Sequence, residues 1–390
     1  MNENRIIVFT FADCMGGVSS FNRNIINFAG KRPGFSVRVI LMNDEQDTRS
    51  KFRDEIIADE VIEFRYSYWN NQRQMFKKLS ALIGEEKGCV VTDNAYTLNV
   101  LKQLGTPKSI VQLVHDYYYI NVARDYKLTI DAWAVHSSFF RDVLYAMDVE
   151  RFGDKVEYIR YGVEQAGEDF VEHEAGSPLH LLFLGRWAES KGVLLLREVD
   201  RLLRERSIAV RWTIVGSGPL EKELKQQWVD DKEVRFITAA DTQEVYKILA
   251  TQDILVFPSK FEGTPVAIME AMSRGVIPVV SDLPGGTREM VTTATGFLCK
   301  SDRAGDFADA IEKLYRDPAL LKAMKRSCLK ASGELYDIKK AAGRYFDFFE
   351  KTALVPSEHN RQKKLTFNRL DNPLLPDKLV YWIRKRKTRN

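Results

Sequence analysis

The chain has 390 residues, 45% of them hydrophobic and 29% charged, which is the composition of a globular protein long enough for two domains. No apolar run approaches the roughly 18 residues of a membrane-spanning helix, and the N-terminus carries no secretory signal pattern. The four cysteines are widely separated, which argues against a disulfide framework or a zinc site and indicates a reduced, cytoplasmic protein.

Short apolar strands alternate with amphipathic helical stretches along most of the chain. This alternation predicts parallel sheets with crossover helices, the α/β class. Strands of the first half are predicted at 5–11, 35–42, 61–65, 89–92, 109–114, 132–135 and 156–159. Helices are predicted from about residue 18 and at about 69–83, 96–104 and 138–147.

Two places in the first half have the position of a ligand site. Gly16 and Gly17 follow the first strand and let a phosphate or sugar approach the backbone, although an ordinary tight turn explains them equally well. His115 follows the strand 109–114, at the end where open α/β sheets bind ligands, but a solitary histidine is more often structural. The tyrosines 117–119 after it could stack on a sugar or anchor the core.

The sequence turns polar over residues 165–178, which predicts a linker between an N-terminal domain, 1–164, and a C-terminal domain, 179–336. His173 and the acids beside it could suggest a metal, but a solvated linker explains them better.

The second half repeats the same pattern. Strands are predicted at 180–184, 210–215, 234–237, 253–257 and 276–280, and helices at about 193–206, 242–250, 264–274, 286–290, 304–316, 318–332 and 337–351. Two glycine-containing turns follow its first two strands. The first carries the cations Arg186 and Lys191 at a predicted helix start, where a bound diphosphate would offset the unfavourable helix dipole. The second contains Gly216, Gly218 and Pro219.

The segment after the strand 253–257 combines an acidic loop with a helix start. Glu262 and Gly263 form the loop, Thr264 is a suitable N-cap and Pro265 a suitable first helical residue. Glu270 follows inside the predicted helix. Free backbone N–H groups there suit an anion, and the two carboxylates accept hydrogen bonds from hydroxyls, as a sugar diphosphate requires. The alternative is a surface loop and helix with two unrelated glutamates.

The motifs Gly185-Arg186, Lys191-Gly192, Gly216-Ser-Gly-Pro219 and Glu262-Gly263 followed by Glu270 occur in this order. Together they resemble retaining glycosyltransferase family 4, strongly over residues 180–350 and more weakly before them. The resemblance implies a GT-B architecture, in which two Rossmann-like domains face a cleft and the helix 337–351 crosses back to the N-terminal domain. Arg160 and Tyr161 depart from the Pro-Asn pair that the family commonly has before the linker.

The resemblance also implies residue roles. Arg186 and Lys191 would neutralise the departing diphosphate, Glu262 would hold sugar hydroxyls, and Glu270 the ribose. Backbone groups of Gly263, Thr264, Pro265 and Val266 would contact sugar and phosphate, and Gly216, Gly218 and Pro219 would line the nucleoside. In the N-terminal domain, Gly16 and Gly17 would approach the phosphates or acceptor, and His115 the donor sugar.

The function so implied is retaining transfer of a sugar from a nucleotide diphosphate sugar to a glycan or lipid-linked acceptor, in bacterial-type polysaccharide or glycoconjugate synthesis. The two cations would supply the positive charge that such chemistry needs, and there is no Asp-x-Asp motif, so no metal and no other cofactor is expected. The alternatives are a nucleotide-sugar epimerase or a phosphorylase on the same fold, although no pyridoxal phosphate site is visible. A third is a non-catalytic nucleotide-sugar-binding partner protein.

The basic tail, 355–390, has ten Lys or Arg against three Asp or Glu, whereas the formal net charge of the whole chain is only +4. Within residues 379–389, Trp382 and aliphatic side chains adjoin a run of cations, which suits an anionic membrane surface. We therefore expect peripheral attachment to the inner face of the membrane. A basic disordered tail is the alternative, and nucleic-acid binding is not expected because no recognition module accompanies the charge.

Overall fold

The structure is a computed structural model that describes residues 5–14, 16–45, 53–167, 176–229, 231–355, 357 and 375–387. His173 in the predicted linker, most of the basic tail and its residues 388 and 389 lie outside the described residues. The chain divides into two compact units. Unit 1 comprises residues 1–159 and 339–390, and unit 2 comprises residues 160–338.

The strands of the described residues all pair in parallel, in one sheet of seven and one of six, so the predicted α/β class is confirmed. The strands are β1 (Arg5–Ala12), β2 (Phe35–Asp44), β3 (Glu60–Tyr66), β4 (Gly88–Thr92), β5 (Ser109–Val114), β6 (Ala132–Val135), β7 (Val156–Tyr158), β8 (Leu179–Leu184), β9 (Val210–Val215), β10 (Val234–Ile237), β11 (Ile254–Phe257), β12 (Ile277–Ser281) and β13 (Phe297–Cys299).

Most of the α-helices lie between successive strands, and the last four follow β13. The α-helices are α1 (Gly17–Phe28), α2 (Gln72–Ile83), α3 (Ala95–Leu104), α4 (Tyr117–Tyr126), α5 (Ser138–Met147), α6 (Val149–Phe152), α7 (Leu196–Glu205), α8 (Glu221–Gln227), α9 (Thr242–Leu249), α10 (Val266–Met272), α11 (Gly286–Met290), α12 (Ala304–Arg316), α13 (Pro318–Leu335), α14 (Ile338–Leu354) and α15 (Asp377–Lys387).

The strand order creates one topological switch point in each unit. In unit 1 the order is β3-β2-β1-β4-β5-β6-β7, and in unit 2 it is β10-β9-β8-β11-β12-β13. The order reverses between β1 and β4 and again between β8 and β11, and a crevice opens outside the carboxyl ends of the strands at such a switch point. The central strands β4, β5, β11 and β12 are buried along their whole length, so core packing fixes the positions of their carboxyl ends.

Three local predictions were wrong. The helix predicted from residue 264 begins at Val266, with Pro265 as its N-cap. The helix predicted after Gly192 begins only at Leu196, because two short 3-10 helices, Glu189–Lys191 and Val193–Leu195, precede it. Lys191 therefore lies in a 3-10 turn and not at an α-helix N-terminus, so the dipole argument made for it does not apply.

Candidate functional site

In unit 2 an ion pair joins the first turn to the acidic loop. Lys191 follows β8 and Glu262 follows β11, the two strands at the switch point. The Lys191 Nζ donates a hydrogen bond to the Glu262 Oε1 at 2.6 Å. The Glu262 side chain is only 8% exposed and that of Lys191 27%. Segments 71 residues apart in sequence are thus joined by a largely enclosed charge pair.

Backbone contacts hold the two turns together. The Ser190 carbonyl accepts hydrogen bonds from the Lys260 N–H at 2.9 Å and the Ser259 hydroxyl at 3.1 Å. The Lys191 ammonium also lies 5.7 Å from the centre of the Phe257 ring, within cation–π range. The position of Lys191 is therefore set by the fold around it as well as by Glu262.

The second glycine turn packs directly against the first. The Trp187 N–H donates to the Ser217 carbonyl at 2.9 Å, and the Leu220 N–H donates to the Trp187 carbonyl at 3.1 Å. Gly216 has a φ of 144°, and a Cβ there would lie 2.0 Å from the Gly185 carbonyl oxygen. A Cβ at Gly218 would likewise lie 2.4 Å from the Trp187 carbonyl oxygen. Only glycine allows this close approach.

Arg186 is exposed, and it has no ion-pair partner among the residues that the structure describes. Pro219 belongs to the second glycine turn, whose neighbouring residues form backbone hydrogen bonds with Trp187. Among the described residues, the turn after β8 thus carries one guanidinium without an ion-pair partner and one lysine that is paired with Glu262.

The loop before α10 carries buried hydroxyls. The Gly286 N–H donates to the Gly263 carbonyl at 3.1 Å, which brings the loop before α11 against it. The hydroxyls of Thr264 and Thr287 are both buried and have no hydrogen-bond partner in the described part of the chain. Such hydroxyls are costly in the free protein and are available to a polar ligand. Thr287 was not identified from the sequence, since nothing in its spacing marks it.

Glu270 and Val266 lie on the short helix α10, both partly exposed. The guanidinium of Arg274 lies 4.0 Å from the centre of the Tyr246 ring and donates to the Glu164 carbonyl at 2.8 Å. Burial lowers the pKa of Arg274, and the charge of Glu270 partly opposes that shift. Glu270 therefore lies within electrostatic reach of Arg274.

In unit 1 the Gly16-Gly17 turn is open. Gly16 is exposed, its φ of 167° is ordinary extended backbone, and a Cβ there would meet no atom within 4 Å. Gly17 is the first residue of α1. The fold itself does not require glycine at position 16, which leaves room there for another molecule.

His115 lies in a buried cluster at the ends of β4 and β5. Its Nε2 is 3.6 Å from the Asp93 Oδ2, a carboxylate that also accepts a hydrogen bond from Asn22 at 2.8 Å. Its ring packs against the rings of Phe21 at 5.1 Å and His136 at 4.6 Å. The His115 Nε2 is buried without a hydrogen-bond partner among the described residues.

His136 was missed from the sequence, although it follows β6 just as His115 follows β5. The Tyr345 hydroxyl donates to the Ile159 carbonyl at 2.6 Å and therefore accepts the 2.6 Å hydrogen bond from the His136 Nδ1. Burial and the neighbouring His115 hold the pKa of His136 well below its usual range. His136 is thus a neutral imidazole with its proton on Nδ1.

The three tyrosines after His115 have three different environments. Tyr119 packs against His115 at 4.9 Å and anchors the buried cluster, whereas Tyr117 packs against Phe140 at 5.4 Å but remains 37% exposed. Tyr118 is 58% exposed. The same three residues begin α4, which Asp116 caps by accepting a hydrogen bond from the Tyr118 N–H at 2.7 Å.

Within the described ranges, no three His, Cys, Asp or Glu side chains lie close enough to hold a metal ion. None of the described helices is long and apolar enough to span a membrane.

Residues 178–317 match the model of the family described as Glycosyl transferases group 1. This segment is a group 1 glycosyl transferase domain. The family resemblance inferred from the motifs is confirmed, and the domain contains every candidate residue of unit 2 from Arg186 to Glu270.

Curated relatives of the group 1 domain are glycosyltransferases by their names. One is a GDP-mannose:cellobiosyl-diphosphopolyprenol alpha-mannosyltransferase of Xanthomonas campestris, 27% identical over 54% of this chain and 57% of the relative. Another is a putative colanic acid biosynthesis glycosyltransferase of Escherichia coli, 34% identical over 35% of this chain and 36% of the relative. The matches thus span between about a third and three fifths of these relatives.

Solved structures resemble nearly the whole chain. The Anabaena protein HepE in complex with UDP-glucose has a TM-score of 0.69 at 14% identity, covering 89% of this chain and 99% of that one. Sucrose-phosphate synthase of Thermosynechococcus elongatus has a TM-score of 0.68 at 16% identity, covering 89% and 98%. The predicted GT-B fold is confirmed by these likenesses.

Proposed function

We propose that this protein is a retaining, metal-independent glycosyltransferase. It moves a sugar from a nucleotide diphosphate sugar to a glycan or lipid-linked acceptor in polysaccharide or glycoconjugate synthesis. The observation that carries the proposal is the 2.6 Å contact between Lys191 and Glu262 at the switch point of the unit 2 sheet. The names of the relatives, with polyprenol diphosphate and nucleotide sugar as substrates, support the same substrate classes.

Lys191 and Arg186 bind the diphosphate of the donor in this proposal. Arg186 is exposed, and its guanidinium can donate two parallel hydrogen bonds to phosphate oxygens. Lys191 adds a second positive charge from a position fixed by the surrounding turn. Fixed charges at the leaving group stabilise the transition state, and the loss of one such donor lowers the rate by about 100- to 1,000-fold in comparable sites. Because these side chains supply the charge, a metal ion is not needed for that task.

The acidic loop binds the sugars. Glu262 and the backbone of Gly263 to Val266 hold the transferred sugar, the Thr264 hydroxyl offers a buried donor or acceptor, and Glu270 binds the ribose. The turn with Gly216, Gly218 and Pro219 lines the nucleoside. In unit 1, Gly16, Gly17 and His115 take part in binding substrate phosphates and hydroxyls.

The transfer proceeds on one face of the sugar. The bond from C1 to the diphosphate oxygen breaks through an oxocarbenium-like centre, and the acceptor oxygen forms its bond to C1 on the same face. The proton of the acceptor hydroxyl passes to the departing phosphate oxygen, so the diphosphate leaves as the monoprotonated product. Glu262 is not assigned as a covalent nucleophile, and its Oε1 is held by the Lys191 ammonium.

A thermal-shift screen with UDP, GDP, ADP and dTDP, with and without EDTA, tests this proposal. We expect one diphosphate to raise the melting temperature equally in both conditions. Arg186→Gln should abolish the shift, whereas Arg211→Gln should keep it, because Arg211 is an exposed arginine of the same unit paired with Glu233. Stabilisation that requires a divalent metal would contradict metal independence, and no stabilisation by any diphosphate would contradict the proposal.

The stereochemical part of the proposal has its own test. The anomeric configuration of the product formed from the donor identified in the screen is measured by proton NMR. The same configuration as in the donor is expected, and the opposite configuration would overturn the retaining assignment.

We also propose that α15 contacts an anionic membrane surface. The helix is attached to unit 1 through the buried Val380, and the Arg384 guanidinium donates to the Asn70 carbonyl. Leu379 and Trp382 are exposed on the same helix, 44% and 53% respectively. Exposed apolar and aromatic side chains beside basic ones suit a headgroup region, where each cation contributes about 1 kcal/mol.

Vesicle sedimentation tests the membrane contact with the full-length protein. Leu379→Ser and Trp382→Ser should each reduce pelleting with phosphatidylglycerol vesicles, whereas Leu128→Ser, at an even more exposed leucine of unit 1, should not. Equal pelleting of all three variants and the unchanged protein would exclude α15 as the contact.

A further inference from the structure

Two exposed tyrosines lie at the carboxyl edge of the unit 1 sheet. Tyr68 follows β3, Tyr118 lies in the first turn of α4 after β5, and both are 58% exposed. Because the carboxyl ends of parallel strands meet at one edge, both rings lie on the edge that also carries Gly16 and His115. We propose that Tyr68 and Tyr118 form a stacking site for a neutral sugar ring of the acceptor, which rests on and deepens the transferase function proposed above.

The ring of Tyr68 packs against two buried tyrosine rings. It lies 6.1 Å from the ring of Tyr66 and 6.0 Å from that of Tyr96, both in edge-on geometry. Those two buried rings are 4.5 Å apart, and the Tyr96 hydroxyl donates to the Gln72 Oε1 at 3.0 Å. An exposed ring held in this way presents a fixed apolar face, which lowers the entropy lost when a ligand stacks on it.

Tyr118 connects the proposed site to His115. Its ring meets that of Tyr119 at 5.1 Å and 87°, and Tyr119 in turn contacts the His115 ring at 4.9 Å. The helix cap formed by Asp116 fixes the backbone of Tyr118 at the start of α4. A sugar on Tyr118 would therefore lie one aromatic ring away from His115.

The carboxylates near the two rings suit a sugar, whereas the basic helix α15, whose Arg384 donates to the Asn70 carbonyl, makes an anionic lipid the alternative that the test below excludes or supports. Partial burial raises the pKa of Tyr68, and the Asp44 carboxylate and the Tyr118 hydroxyl raise it further, so both groups lie within electrostatic reach. Asp116 caps the helix beside Tyr118. Carboxylates accept hydrogen bonds from sugar hydroxyls but repel the phosphates of an anionic membrane. Aromatic faces with a few carboxylates are the usual make-up of a site for a neutral polar ligand.

Saturation-transfer NMR with four free disaccharides tests the proposal on the full-length protein. The probes are cellobiose, lactose, maltose and N,N′-diacetylchitobiose, and the variants are Tyr68→Ala, Tyr118→Ala and the two corresponding Phe variants. At least one disaccharide should bind. Either Ala variant should weaken that binding by about fivefold, equal to about 1 kcal/mol, whereas the Phe variants should stay within about twofold because they keep the ring.

Leu128→Ala is the matched control, since Leu128 is 67% exposed but follows the C-terminal end of α4. We expect this variant to bind the disaccharide as tightly as the unchanged protein does. The absence of disaccharide binding, or binding that both Ala variants retain, overturns the site. Loss of phosphatidylglycerol-vesicle pelleting in the Tyr variants without an effect on sugars would assign the surface to lipid and also overturn it.

The nucleoside diphosphate shift, measured in the same samples, separates this proposal from the one on which it rests. If the diphosphate-induced thermal shift persists in all variants but disaccharide binding does not depend on the tyrosines, only the acceptor-site proposal is wrong. No shift in the unchanged protein removes the transferase proposal instead.

Discussion

The ion pair between Lys191 and Glu262 gives the sharpest prediction, because in the proposed site the diphosphate would compete with Glu262 for one ammonium. The pair is less exposed than a surface ion pair, worth about 0.2–1 kcal/mol, and more exposed than a buried one, whose disruption costs about 3–5 kcal/mol. We therefore expect a coupling energy of about 1–2 kcal/mol in a double-mutant cycle of Lys191→Met and Glu262→Gln.

The two substitutions should affect diphosphate binding in opposite directions. Lys191→Met removes a charge-assisted hydrogen bond of about 1.5–3 kcal/mol, so the dissociation constant should rise about 10- to 150-fold. Glu262→Gln removes the competitor for the ammonium, so the free diphosphate should bind about 5- to 30-fold more tightly. The nucleotide sugar should gain less or lose affinity, because the carboxylate that holds its hydroxyls is gone.

Isothermal titration calorimetry with the diphosphate found in the thermal-shift screen measures both effects. Lys260→Met is the matched control, since Lys260 lies in the same pair of turns and its ammonium pairs with the exposed Glu189 at 3.1 Å. If Glu262→Gln weakens diphosphate binding as much as Lys191→Met does, the competition does not exist and the pair is purely structural.

Three further predictions concern stability. Gly216→Ala would place a Cβ 2.0 Å from a carbonyl oxygen and should lower the melting temperature by several degrees, whereas Gly305→Ala, with open space around it, should not lower it. Lys325→Met leaves the buried Asp253 carboxylate without the ammonium at 2.7 Å and should cost about 3–5 kcal/mol in urea unfolding; a loss below about 1 kcal/mol would be inconsistent with the buried pair. The depressed pKa of His136 means that the unfolded chain binds its proton more readily, so stability should fall as the pH drops below about 6.5, and His136→Gln should flatten that fall in melting curves.

The ordered motifs predicted which residues of unit 2 lie together better than they predicted its local geometry. The contact of Lys191 with Glu262 follows from two strand ends that the alternating pattern places at one edge. The helix start at Thr264 was wrong because cap preference is a local tendency, whereas here the Gly263 carbonyl accepts a hydrogen bond from the Gly286 N–H and the N-cap with extended backbone is Pro265. Such a contact between distant loops leaves no signal in the sequence of either loop.

In unit 1, several features that shape the candidate site could not be predicted from the sequence. The helix α4 was not predicted because its first three residues are tyrosines, which favour strands, and the cap on Asp116 outweighs that preference. His136 was missed because its importance depends on Tyr345, which lies 209 residues later in α14. Tyr68 was not considered because one exposed aromatic after an edge strand has no sequence pattern; only the rings of Tyr66 and Tyr96 behind it distinguish it.

Release of nucleoside diphosphate from a panel of nucleotide sugars tests the central claim most directly. The full-length protein should release diphosphate from at least one nucleotide sugar, with water as the acceptor of the sugar in the absence of the natural one. Lys191→Met, while remaining folded, should do so about 100-fold more slowly, as expected when one fixed charge at the leaving group is lost. No release from any donor, or equal rates for the two proteins, would contradict the assignment of this pocket to sugar transfer.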